Sequence, residues 1–400
     1  MLQNFVQQIG TKFIFGKDAE KQVGTELKAL GATKVLIHHD SGQFLYDSGL
    51  LEAVKGYLTD AGLAYVELGG VRPNPRLSKV REGIELCRKE GVDFILAIGG
   101  GSATDSAKAI ALGTAYDGDV WDFYAHTVSM EDAMKVQALM IGCLLTYPAT
   151  GTEVSGGGVI TNDETLEKRP YGNPNGSTRS RVSFMNPELS YTLPPYLTAC
   201  GVVDMYSHIM EKYFTPDTDF GIMDRLAEAG MRNILVYGPK VLEEPTNYMY
   251  RAEIMWSGCV GADNSQGLGR EQDWAHHYIG HEISALYDTA HGATLTIMCP
   301  AWMKYVYKHN LPRFVRYAVE VFGVENDPSN PDWVAQEGIR LTTDFFRRMG
   351  LPTSFAEAGL PTDKFDHIAK MAPISQGDDH IGSLMPLYEK ECREILELAR

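Results

Sequence analysis

The sequence lacks the features that would send a chain to a membrane, a nucleic acid or a disulfide scaffold. No apolar run approaches the ~18 residues that a membrane span requires. The start, M-L-Q-N-F-V-Q-Q-I-G, has no basic region followed by an apolar stretch, so no secretory signal is expected. No basic run occurs, and 36 Lys+Arg stand against 52 Asp+Glu for a net charge of −16, which argues against nucleic acid and anionic membrane as partners. Cysteine is scarce: six residues, at 87, 143, 200, 259, 299 and 392, form no C-x-x-C pair and sit among apolar neighbours. Buried thiols in a reducing cytoplasm are expected. There is no G-x-G-x-x-G run, no Ser, Cys or Lys motif for a covalent intermediate, no tandem repeat and no low-complexity segment.

What is present is size and alternation. The 400 residues, 44% of them hydrophobic, suffice for two or three domains with a large core. T-K-F-I-F-G (11–16), K-V-L-I-H-H-D (34–40), A-Y-V-E-L (64–68) and V-D-F-I-L-A-I (92–98) read as strands. Residues 47–60, 76–90 and 103–112 read as helices. This order predicts a parallel sheet covered by helices on both faces. A looser stretch, 146–185, contains G-G-G-V-I-T-N (156–162), which fits a short hairpin. From about Leu197 helical periodicity dominates, interrupted near 215–219, 237–247, 308–313 and 350–353. The expected division is an α/β dinucleotide-binding domain over 1–185 and an all-helical domain over 186–400.

Four good metal ligands lie between Asp204 and His291. Asp204 and His208 are spaced i, i+4, which puts a carboxylate and an imidazole on one helix face. His277 and His291 follow in D-W-A-H-H-Y-I-G-H-E-I-S-A-L-Y-D-T-A-H-G. One carboxylate with three imidazoles suits Fe²⁺ or Zn²⁺, and without a nearby thiol an open catalytic site is the sharper reading. Spacing alone leaves ordinary helix pairs and core histidines open.

G-G-G-S (99–102), after an apolar strand and before a helix, can cradle a diphosphate on backbone N–H groups. Tight strand-to-helix turns also use glycine. In T-Y-P-A-T-G-T-E (146–153), threonine hydroxyls and exposed N–H groups could hold ribose or nicotinamide; a turn held by hydroxyl–backbone bonds is the alternative. Asp40 ends a strand ahead of the glycine loop, where it could accept bonds from ribose hydroxyls and repel a 2′-phosphate, favouring NAD(H) over NADP(H). Capping a turn with Ser41 and Gly42 is its other reading.

Taken in order, G-G-G-S-x-x-D-x-A-K, T-x-P-A-T-G-T-E, D-x-x-x-H and W-x-x-H-x-x-x-H resemble the iron-containing alcohol dehydrogenases, in particular the butanol-dehydrogenase-like branch, over nearly the whole chain. The resemblance implies a dehydroquinate synthase-like architecture, with the metal in the cleft between an α/β and an all-helical domain. It implies Asp204, His208, His277 and His291 as metal ligands. His281 would lie near nicotinamide and substrate, off the metal, as the catalytic proton-transfer group. Gly99, Gly100, Gly101, Ser102 and Asp105 would serve the diphosphate, Thr146 and Thr150 the nicotinamide end, and Lys168 the cofactor. A homodimer or larger homo-oligomer is also implied, and T-K-F-I-F, outside the main alternation, offers a strand edge for it.

Two positions depart from the branch: D-S-G-Q (40–43) replaces a glycine-rich run with a serine, and Ser155 stands where relatives often have asparagine. The expected reaction is metal-dependent hydride transfer between NAD(P)H and a small aldehyde or primary alcohol. Short linear aldehydes are the family default. Polar or anionic ones stay open if Arg270 and Lys168 lie at the pocket mouth. Rival readings are a dehydroquinate-synthase-like or glycerol-dehydrogenase-like enzyme, and a non-catalytic protein holding metal and nucleotide.

Overall fold

The structure is a computed structural model that describes residues 3–7 and 9–400. It divides into two compact units: an α/β unit spanning residues 9–193, and a helical unit made of Pro194–Arg400 with the N-terminal segment before Ile9. The division falls at Leu193/Pro194 rather than near 186. The strand Val182–Met185 and the short 3-10 turn Pro187–Ser190 still belong to the α/β unit.

The α/β unit is built on six parallel strands: β1 (Lys12–Phe15), β2 (Lys34–Asp40), β3 (Ala64–Val71), β4 (Phe94–Gly99), β5 (Met140–Leu145) and β8 (Val182–Met185). Their spatial order is β1-β8-β5-β4-β2-β3. A separate antiparallel hairpin joins β6 (Gly157–Thr161) to β7 (Lys168–Gly172), where the glycine-rich stretch suggested one. Alternation along the buried strands sorts side chains to two cores. Leu36, Ile95, Ala97 and Ile141 meet the helices Leu77–Glu90 and Gly101–Thr114. Val35, Ile37, Phe94, Leu96 and Ile98 meet the helices Val23–Ala29 and Leu50–Asp60. Both faces are covered, which is why these strands read as continuous apolar runs.

β2 and β4 are direct neighbours, yet the helix Leu50–Asp60 lies on one face and the helix Gly101–Thr114 on the other. Chains leaving adjacent strands in opposite directions open a crevice at the strands' carboxyl ends, where α/β sheets bind ligands. Asp40, Gly99 and Leu145 end β2, β4 and β5 there. β1 pairs with β8 on one side and forms the sheet's outer edge on the other.

In the helical unit the central helix, Pro195–Tyr213, is buried without a break from Thr198 to Tyr213. A helix buried all round needs neighbours on every side. The helices Ile222–Glu243, Tyr248–Ala262 and His291–Val306 supply them, and Ala275–Tyr287 packs on the last of these. Gly292 permits one close crossing: a Cβ there would stand 2.3 Å from the carbonyl oxygen of Cys200. That approach sets His291, the first residue of its helix, beside the turn that carries Asp204. All six cysteines are buried, as their apolar neighbours implied. Among the described residues no helix is long and apolar enough to cross a membrane.

Candidate metal centre and nucleotide loop

Within the helical unit, three helices converge their polar side chains on one point. Asp204 and His208 come from Pro195–Tyr213, His277 and His281 from Ala275–Tyr287, and His291 from the start of His291–Val306. Nε2 of His277 and Nε2 of His291 are 2.8 Å apart. Oδ1 of Asp204 lies 3.5 Å from Nε2 of His208 and 3.7 Å from Nε2 of His291. The rings of His208 and His277 stack at 5.2 Å. A tetrahedral ion with bonds of about 2.1 Å has ligand–ligand edges of about 3.4 Å. The observed separations bracket that edge, so this donor set fits a divalent ion in size and in chemistry.

The histidines are held in the form a metal needs. Burial pushes His208 far below the ordinary imidazole range, with like charge on His277 adding to it, so His208 is neutral and able to ligate. His277 gives its Nδ1–H to Oε1 of Glu211 at 2.8 Å, which leaves its Nε2 lone pair facing His291. Burial drives the Glu211 carboxyl well above its usual range; a divalent ion one imidazole away acts in the opposite sense. His276, adjacent in sequence, turns to Glu211 and the Trp302 ring instead. The Trp274 indole lies against both His208 and His277, with ring centroids 5.6 and 5.4 Å away.

His281 lies one turn after His277. Its ring centroid is 4.8 Å from that of His277 and 5.0 Å from that of His291, and it is 4% exposed. One nitrogen each from His277, His281 and His291 lie within 4.8 Å of one another, as do one ligand atom each from Asp204, His208 and His277. Glu211 is the residue the sequence reading missed. Its signal was the extension of D-x-x-x-H to D-x-x-x-H-x-x-E, but an acid three residues on is common on helices. Arg270 does not stand at a pocket mouth: its side chain is 3% exposed and its Nη1 is 2.7 Å from Oδ1 of Asp224, which also binds Arg313.

The α/β unit gathers the other set. The helix Gly101–Thr114 starts without a side-chain cap, so its first N–H groups are open to an anion. The glycines are needed because three side chains press on them. A Cβ on Gly99 (φ +147°) would stand 2.6 Å from Asp40 Oδ2; one on Gly100 would lie 2.9 Å from Cβ of Tyr147, and one on Gly101 2.7 Å from Oγ1 of Thr150. The loop containing Thr146 and Thr150 is thus brought onto the glycine loop, and the Thr146 N–H bonds the Gly99 carbonyl at 3.0 Å. Ser102 lies on the first turn of the helix.

Asp40 Oδ1 accepts the Gly42 N–H at 2.7 Å, so the turn-capping role is present, while Oδ2 faces Gly99. Burial raises its carboxyl pKa against the pull of Gly42 and His39. Asp105 faces inward: Oδ1 takes the Thr152 hydroxyl at 2.6 Å and Oδ2 the Val159 N–H at 2.9 Å. Its carboxylate therefore shapes the loop rather than meeting a diphosphate, whose charge it would repel. Lys168 is buried and donates to Asn74 Oδ1 at 2.9 Å.

Two family models cover this chain: iron-containing alcohol dehydrogenase over residues 10–187, and the C-terminal model of the Fe-containing alcohol dehydrogenase family over 198–398. The chain belongs to the iron-containing alcohol dehydrogenase family. It falls in the butanol-dehydrogenase-like branch, as an oxidoreductase of the alcohol dehydrogenase and aldehyde reductase kind. NADH-dependent butanol dehydrogenase A of Clostridium acetobutylicum is 37% identical over 396 residues, 98% of this chain and 99% of that protein. NADPH-dependent aldehyde reductase YqhD of Escherichia coli is 31% identical over 399 residues, 100% of both. Among solved structures, NADH-dependent butanol dehydrogenase A from Thermotoga maritima superposes with a TM-score of 0.93 at 37% identity, covering 100% of this chain and 99% of that one. This iron-containing alcohol dehydrogenase therefore has the α/β-plus-helical fold that its motifs implied.

Proposed function

We propose that this enzyme reduces small, uncharged aldehydes to primary alcohols, and runs the reverse reaction, with NADH preferred over NADPH. The observation that carries the reading is the convergence of Asp204, His208, His277 and His291 at ion-sized spacing beside His281. Those four residues would hold Fe²⁺ or Zn²⁺. When bound, the ion supplies Lewis acidity that polarises a carbonyl oxygen or favours an alkoxide, and the nicotinamide supplies the hydride.

The chain's own residues do the rest. His281, one turn past His277 and largely buried, would pass a proton to the reduced substrate. Gly99, Gly100, Gly101 and Ser102 would receive the diphosphate on open N–H groups, with Thr146 and Thr150 beside the nicotinamide. Asp105 would act through the loop it shapes, and Lys168 through its buried bond to Asn74. Asp40, packed on Gly99, would meet the adenosine ribose. Arg270 and Lys168 are each committed to a buried partner, which favours a neutral substrate over an anionic aldehyde. Among the described strands β1 stands last in the sheet, a position that fits the homodimer the family resemblance implies.

The experiment is NADH and NADPH oxidation with butanal, before and after chelation and after reloading with Fe²⁺ or Zn²⁺. Butanal-dependent NADH oxidation that chelation abolishes and metal restores is expected. Turnover that chelation leaves untouched would refute the reading.

A further inference from the structure

Lys108 belongs to the helix that starts at the glycine loop, is 2% exposed, and directs its ammonium at one segment of chain. Nζ donates to the Thr152 carbonyl at 2.7 Å, the Thr152 hydroxyl at 2.6 Å and the Gly157 carbonyl at 2.7 Å, with Ser155 Oγ farther off at 3.4 Å. An ammonium has three hydrogens, and here it finds three short acceptors. The Thr152 hydroxyl passes its own hydrogen to Asp105 Oδ1 at 2.6 Å, and Asp105 Oδ2 takes the Val159 N–H. Two charged residues one helical turn apart therefore fasten the chain from Thr152 to Val159.

Burying a cation is costly. This one is directed at loop carbonyls and a hydroxyl, so its placement defines loop geometry. The same helix carries the open N–H groups, and Thr150, two residues before Thr152, presses on Gly101. We propose that Lys108 is a positioning residue for the nicotinamide cofactor, locking the loop of Thr150 and Thr152 onto the glycine loop in its binding arrangement. The proposal rests on the function proposed above.

The groups facing Lys108 are Asp105 on its own helix, Cys143 from β5, Glu153 from the loop and Arg179 from the segment before β8. Burial outweighs the pull of Asp105 and lowers the Lys108 pKa to about 8. Above that pH the third hydrogen is lost and one acceptor goes without its donor, so the lock weakens on the alkaline side.

The test is the dissociation constant of NADH, by fluorescence titration of the metal-loaded protein, for wild type, Lys108→Met and Thr152→Val. If the unlocked loop holds the binding arrangement about a tenth of the time, Lys108→Met raises the constant about tenfold. Thr152→Val, which removes one acceptor of the three and the hydroxyl bond to Asp105 but keeps the ammonium on both carbonyls, raises it less. Wild-type binding weakens between about pH 7 and 9.5, and that trend is absent from Lys108→Met. Metal content, measured by elemental analysis in the other unit, stays at the wild-type level. Lys108→Met binding NADH within about twofold of wild type, or a flat wild-type pH profile, overturns the proposal. If Lys108→Met does not fold, an unchanged constant in Thr152→Val overturns it. A wild type that binds no NADH at pH 7 overturns the underlying function instead.

Discussion

His277 and His281 share a helix face one turn apart, and their proposed duties separate by measurement. Replacing His277 with alanine removes one donor and the Nδ1–H that Glu211 holds. Metal content by elemental analysis should fall below a tenth of wild type while the circular dichroism spectrum is unchanged. His281→Ala should keep its metal and lose turnover by on the order of a hundredfold or more, the usual worth of a proton-transfer group. Equal metal loss in both variants would make His281 a ligand. At Asp40, a carboxylate ~4 Å from a 2′-phosphate at a surface-like dielectric is worth one or two kcal/mol after screening. Asp40→Gly should shift kcat/KM towards NADPH by about tenfold; an unshifted ratio would leave Asp40 with its turn cap alone.

Among the elements, the crossing of Pro195–Tyr213 with His291–Val306 is a close backbone contact next to the proposed ligands Asp204 and His291. Gly292→Ala puts a methyl group 2.3 Å from a backbone oxygen, so the helices must separate. Overpacking of this kind costs about 1–3 kcal/mol. It should appear as a lower Tm together with weaker zinc affinity in a chelator competition; a Tm held at the wild-type value would show that the crossing has slack. These elements were unevenly legible. β2 was readable to the residue, because a strand buried on both faces is an apolar run and this one stops at an acid. β8 was not, since V-S-F-M is only four residues long and lies in a stretch rich in serine, threonine and asparagine. β5, M-I-G-C-L-L, is an apolar run as long as β4 that the strand–helix alternation traced above does not include. The i, i+4 spacing of Asp204 and His208 is local and therefore visible. The Asp40–Gly99 contact and the reach of Lys108 to Thr152 and Gly157 depend on strand order and loop course, which no local pattern encodes.

At the scale of the whole molecule, stability should depend on pH through buried imidazoles. His38 is fully buried between the Leu68 carbonyl and the Ser106 hydroxyl, and burial lowers its pKa to about 4. A folded-state pKa below the unfolded one of about 6.5 means the unfolded chain binds more protons, so stability is full above that value and is lost as pH falls towards 4. The contribution is about 3 kcal/mol. Tm should drop between pH 7 and 5, and His38→Gln should flatten the drop; a parallel decline in both proteins would assign it elsewhere. Assembly is a second property of this scale. Strand β1 forms the sheet's outer edge with Phe15 39% exposed, and light scattering at micromolar concentration should give a dimer or larger mass. The division of the chain has a consequence for the cell. Every residue proposed to hold the ion lies between 204 and 291, and every one proposed to touch the nucleotide between 40 and 168. If the nucleotide set fills without the ion, an enzyme made during iron or zinc scarcity is idle without being inert, and NADH should bind the metal-free protein; no binding there would tie the two sites together.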